Sequence, residues 1–113
     1  MEKEGAILRA GRLKNRVIIQ IPTKIKNAIG EWYDAWSDWA NVWASIEPNS
    51  GKTYYAGLQA NSVVEGKIVI RYRTGVQPTM RVKYGNRYFK ILSVVHPQER
   101  KKELHLMYQE ALD

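Results

Sequence analysis

The chain has 113 residues, 44% of them apolar and 26% charged, a composition that folds around one core and is unlike the charge-rich, apolar-poor mix of disordered chains. Cysteine is absent and the net charge is +7, from 18 Lys and Arg against 11 Asp and Glu. This excludes disulfides, thiolate catalysis and cysteine-ligated zinc, and it favours phosphate backbones or acidic protein surfaces as partners.

No apolar run approaches the roughly 20 residues that cross a bilayer, and Met1 to Arg12 lacks the apolar stretch of a secretory signal. The expectation is a soluble protein made in the cytoplasm. Met1 to Ala10 reads as a detachable basic arm, and residues 11–113 as a single domain without internal repeats.

From Asn15 to Ile21, Val17, Ile19 and Ile21 alternate with Arg16 and Gln20, which predicts a strand ending at Pro22. Trp32, Trp36, Trp39 and Trp43 then recur at spacings of four, three and four, a helical period. The stretch from Trp39 to Ile46, by contrast, is rich in Val, Ile and Trp and stops at Pro48, as a strand would. Residues 31–43 are therefore readable either way, with a strand favoured. Ser50 is placed to cap a short helix through Tyr54, Tyr55, Leu58 and Ala60, weakened by Gly57.

Val63 to Arg73 returns to period two, with Ile68, Ile70 and Tyr72 on one face and Lys67, Val69, Arg71 and Arg73 on the other. Met80, Val82 and Tyr84 alternate up to Gly85-Asn86, a hairpin signal, and Arg87 to Val95 pairs back. After His96-Pro97 and a charged turn, Leu104, Leu106 and Tyr108 mark a last strand. The fold expected is mainly β: a small antiparallel barrel of five to six strands with one short inserted helix, closed so that no long edge is exposed.

Few residues suggest chemistry. Gly51-Lys52-Thr53 resembles the end of a phosphate-binding loop, but Ile46 stands where that motif needs its first glycine. His96 and His105 have no second ligand at metal spacing, and Glu31, Asp34 and Asp38 are interleaved with Trp and Tyr rather than set in a cation loop, so both groups read as solvated surface. No nucleophile, base and oxyanion donor assemble, and neither catalysis nor a cofactor is expected.

The four Trp and seven Tyr carry more information, since large rings either fill a core or anchor an interface. Trp43 reads as core; Trp32, Tyr33, Tyr54 and Tyr55 are divided evenly between the two. Trp32, Tyr33 and Trp36 are the candidate interface aromatics. Lys67, Arg71, Arg73, Arg81, Lys83 and Arg87 fall on outward faces of strands expected to be neighbours, where they would form either one positive patch facing DNA or a partner, or simply a solvated surface.

One resemblance spans about Gly11 to Glu110. Its pieces are Gly11-Arg12-Leu13-Lys14-Asn15-Arg16-Val17-Ile18-Ile19-Gln20, then Trp36 and Val42-Trp43-Ala44-Ser45-Ile46-Glu47-Pro48, and Ser50-Gly51 with the tyrosines after it. Ile68 to Arg73, Pro78, Met80-Arg81-Val82, Tyr84-Gly85, Tyr88-Phe89-Lys90-Ile91 and Arg100 to Leu106 follow in order. In this order the pieces resemble the phage head-tail joining family, the stopper or connector proteins of long-tailed bacteriophages and prophages.

The resemblance implies a structural protein of the virion neck, without catalysis or cofactor, that forms a ring of twelve copies under the portal and adaptor, continues the DNA channel and meets tail-completion proteins. It also implies that a loop gates the channel, and Asn49, Ser50, Gly51, Lys52, Thr53, Tyr54 and Tyr55, within the segment from Asn49 to Asn61, match that loop. The competing reading is a free basic barrel that binds nucleic acid; against it, the tryptophans lie apart in sequence from the Arg-rich strands.

Overall fold

The computed structural model describes residues 13–49, 63–97 and 102–111. Six strands occupy most of them: β1 (Asn15–Lys26), β2 (Trp32–Pro48), β3 (Val63–Arg71), β4 (Arg81–Tyr84), β5 (Arg87–Val95) and β6 (Glu103–Ala111). All neighbouring strands run antiparallel, and the sheet closes on itself in the order β1-β2-β3-β6-β5-β4. This is the expected small barrel. The expected inserted helix and N-terminal arm both lie outside the described residues.

The period-two pattern decides which side chains point inward. Val17 and Ile19 of β1, Ile68 and Ile70 of β3, Val82 of β4, Phe89 and Ile91 of β5, and Leu104, Leu106 and Tyr108 of β6 fill the interior. Phe89 meets Tyr108 edge to face with ring centres 4.8 Å apart, the geometry that aromatic quadrupoles favour. Gly66 makes room for this packing: a Cβ there would lie 2.5 Å from the Glu47 carbonyl oxygen and 2.8 Å from the Tyr108 hydroxyl. Tyr84 and Arg87 pair across a two-residue turn with Gly85 at φ +62°, as the hairpin signal required.

Two expectations need correction. Pro22 does not end β1, which continues to Lys26. β4 pairs β1 only from Ile18 to Gln20, so Pro22 lies where one edge of the strand has no described partner, and a missing donor is tolerated on such an edge. Trp43 is not a core residue: it is half exposed, and its neighbour Ala44 takes the interior position.

The cause of the second error is a β-bulge. Ile19 pairs with Ala40 but Gln20 pairs with Asp38, leaving Trp39 as the extra residue of β2. A bulge flips the parity of the strand. Trp32 and Trp36 before it and Trp43 after it all point outward, while Trp39 packs against the core. Residues 32–43 are thus strand throughout, and Glu31 precedes them without regular structure. Their helix-like tryptophan spacing arises from two stretches of period two joined out of phase.

Candidate assembly surface

Beyond Gln20 and Asp38, β1 and β2 leave the barrel as a two-stranded arm that pairs from Ile21 and Ser37 to Lys26 and Trp32. Its turn is fixed by Asn27, whose Oδ1 accepts hydrogen bonds from the backbone N–H groups of Ile29 (3.1 Å) and Glu31 (2.9 Å). This is the local bonding that makes Asn a turn residue. Ile29, in that turn, is 77% exposed and Trp32 64% exposed; Ile25 and Tyr33 are also exposed.

Midway along the arm, Lys24 Nζ donates to Asp34 Oδ1 at 2.8 Å. That hydrogen bond first, and the ammonium charge second, hold the Asp34 carboxyl below the usual carboxylate range. The two edges of the arm differ. The free β1 edge carries Pro22, Lys24 and Lys26, residues that discourage strand addition. From Trp32 to Val42, β2 contains no Pro, Lys or Arg, and among the described residues only β1 pairs with this stretch.

At the root of the arm the barrel wall forms a groove of about 550 Å³ lined by Trp36, Pro78, Thr79, Met80, Arg81, Tyr88, Lys90, Gln109 and Ala111. Arg81 organises its floor. Its guanidinium lies 4.4 Å from the centre of the Trp36 ring and 4.2 Å from that of Tyr88, and its Nε donates to Gln20 Oε1 at 2.7 Å. Gln20 in turn donates to Asp38 at 2.8 Å. Burial under the rings lowers the pKa of Arg81, yet a guanidinium remains cationic.

Each of the other tryptophans also holds a cation against its ring: Lys26 on Trp32 (5.8 Å), Arg73 on Trp39 (4.9 Å) and Arg16 on Trp43 (5.2 Å). The separation of tryptophans from basic residues in the sequence therefore disappears in the fold. One face of every indole is already taken by the chain itself.

The six basic residues expected to form one patch are not brought together. β3 is bonded to β2 and β6, and β4 to β1 and β5, so the two strands are three positions apart in either direction around the barrel. Lys67 and Arg71 of β3 lie on one side and Arg81 and Lys83 of β4 on the other, while Arg73, beyond the end of β3, stacks on Trp39 and Arg87 begins β5. Lys67 lies 3.8 Å from Glu47. Arg87 grips the buried Glu110 carboxylate through two hydrogen bonds, Nε to Oε2 at 2.7 Å and Nη2 to Oε1 at 2.9 Å.

His96 packs on Tyr72, and His105 pairs with Glu103 at 2.5 Å. Among the described residues no three His, Asp or Glu side chains gather as a metal site would require. Of the expected gating segment, only Asn49 is described; Ser50, Gly51, Lys52, Thr53, Tyr54 and Tyr55 lie outside the described residues. Sequence reasoning missed the groove, although Tyr88, outward because Phe89 is inward, gave a signal for it.

The chain is a closed antiparallel barrel whose outer surface presents an aromatic arm, a groove and stacked cations. Over residues 8–111 the sequence matches the family model described as phage head completion protein, and the chain belongs to that family. It is thus a structural protein of a phage-type virion that associates with other head and tail proteins.

Solved structures that share its fold include the following two. A chain in the virion of a native gene transfer agent particle is similar at 20% identity and a TM-score of 0.67, over 89% of this chain and 96% of that one. Protein SF1141 from Shigella flexneri 2a is similar at 24% identity and a TM-score of 0.64, over 91% and 96%. No curated protein matches the sequence.

Proposed function

We propose that the chain is a subunit of the neck ring that joins the portal and adaptor of the head to the tail. In this reading about twelve barrels surround the axis and continue the DNA channel. The observation that carries it is the arm: a free monomer would leave Ile25, Ile29, Trp32 and Tyr33 in water on a projecting hairpin, whereas an assembly buries them. Trp32, Tyr33 and Trp36 are then interface residues, and the two basic sides of the barrel face acidic neighbours or the passing DNA. The segment from Asn49 to Asn61 is assigned the gating of DNA exit on the family resemblance.

A free nucleic-acid-binding barrel fits less well. Such proteins offer open aromatic faces on which bases stack, and here Trp36 and Tyr88 both hold Arg81.

Removal of the gene from a complete phage or prophage tests the proposal. Filled heads and free tails that join when the purified protein is added are expected. Normal tailed, infectious particles made without the protein would overturn it. A chain lacking residues 50–61 should still join heads to tails but release DNA early, and normal DNA retention would remove the gating role.

A further inference from the structure

We propose that the β1–β2 arm of one copy seats in the groove at the arm root of a second copy, so that each subunit gives an arm to one neighbour and receives one from the other. The inference rests on the neck-ring reading and names the contact that would hold the ring together.

The first argument is chemical. The arm ends in apolar side chains, Ile29 and Trp32, with Ile25 beside them, and Trp36, Pro78, Met80 and Tyr88 give the groove apolar walls. The second is electrostatic. Among the described residues the charged side chains lining the groove are the cations Arg81 and Lys90, whereas the tip of the arm carries Glu31, the arm's other charges being the paired Lys24 and Asp34 and Lys26 stacked on Trp32. Glu31, beside the turn, would reach the groove together with Ile29. A carboxylate entering between apolar walls and fixed cations gains more than it would at an open surface.

The third argument is geometric. At about 3.3 Å per residue, the four steps from Trp36 to Trp32 carry the end of the arm roughly 13 Å away from the groove at its root. The arm pairs without interruption along that length, so it cannot fold back into its own groove. The tip of the arm can therefore enter a groove of this kind only on another copy.

Arm and groove are different surfaces, and the contact is therefore heterologous: it does not close as a two-fold dimer but repeats from copy to copy, and it yields a ring when the rotation closes. The exposed β2 edge, without the Pro and Lys that guard the β1 edge, would be covered by the same neighbour.

The absence of cysteine makes the test clean. A chain carrying both Ile29→Cys and Thr79→Cys, two exposed positions at the two ends of the proposed contact, is incorporated into particles and oxidised. A ladder of covalent multimers of this chain is expected, together with at least a tenfold excess of linked over unlinked protein in isolated necks. The control pair, Ile29→Cys with Leu92→Cys, uses another exposed residue that does not line the groove and should not form the ladder.

Necks that contain the chain but give no ladder, or that link Thr79→Cys to a different protein, would overturn the arm-and-groove contact and leave the neck assignment standing. Absence of the chain from the neck would overturn both. As an independent check, Trp32→Asp should abolish incorporation while the purified variant keeps its β-sheet circular dichroism. Normal incorporation of that variant would contradict the proposal.

Discussion

Arg81 joins three parts of the molecule through one side chain: it touches Trp36 of the arm root and Tyr88 of β5 and hydrogen-bonds Gln20 of β1. Cation–π contacts that are partly shielded from water contribute about 1 kcal/mol each, and a lysine cannot reproduce the planar stack. Arg81→Met should therefore lower the unfolding free energy by about 1–2 kcal/mol, measured by urea denaturation, and should change the fluorescence of Trp36. Arg81→Lys should recover little of the loss. Full stability in both variants would mean that the stack is incidental.

Lys24 and Asp34 form a second, more exposed residue-scale device. Because the Asp34 pKa is lowered in the folded chain, any stabilisation from the pair is present above the ordinary carboxylate pKa and is lost as the pH falls through the lowered value. Carboxyl-carbon NMR should find Asp34 titrating below an ordinary aspartate, and Lys24→Gln should move its midpoint back up. An unchanged midpoint in that variant would contradict the pairing. Both charges are exposed, so added salt should weaken the effect.

Among the elements, β2 explains most of what the sequence concealed. Its inward residues follow period two on both sides of Trp39, but the extra residue puts the two halves out of phase. A reader of tryptophan spacing alone meets a helical signal and assigns Trp43 to the core. Nothing local identifies a bulge, which is decided by the pairing of β1 with its partner. Strands β4 and β6 were legible because their alternation is unbroken, and β5 because Phe89 and Ile91 alternate ahead of its own register shift at Leu92 and Gly85-Asn86 identifies the turn.

At Gly66 the strands approach so closely that no side chain fits without moving the Glu47 and Pro48 backbone. Gly66→Ala should cost roughly 1–3 kcal/mol, the usual penalty for overpacking, read as a lower thermal midpoint. An unchanged midpoint would show that β2 and β3 can separate freely at this end.

For the whole molecule, the fold class was legible because inward apolar residues outnumber exceptions in every strand. The strand order was not, since β3 pairs with β6 across more than thirty intervening residues and periodicity carries no information on such long-range contacts. That gap produced the single basic patch: Lys67 and Arg71 of β3 were set beside Arg81 and Lys83 of β4 as neighbours, whereas barrel closure puts those two strands on opposite sides. The assembly surface was legible only in its aromatics. Its groove joins residues from β2, β4, β5 and β6 with the segment before β4, and no stretch of sequence displays that combination.

A closed barrel has no spare edges within its wall, and the proposed ring draws on what protrudes from that wall and what is recessed in it. The most direct measurement is electron cryomicroscopy of intact particles at a resolution that traces strands. A ring of six-stranded barrels built from this chain, lying between head and tail with the DNA axis through its centre, is the predicted result. A neck traced entirely in other chains, with this protein elsewhere in the particle or missing from it, would contradict the account.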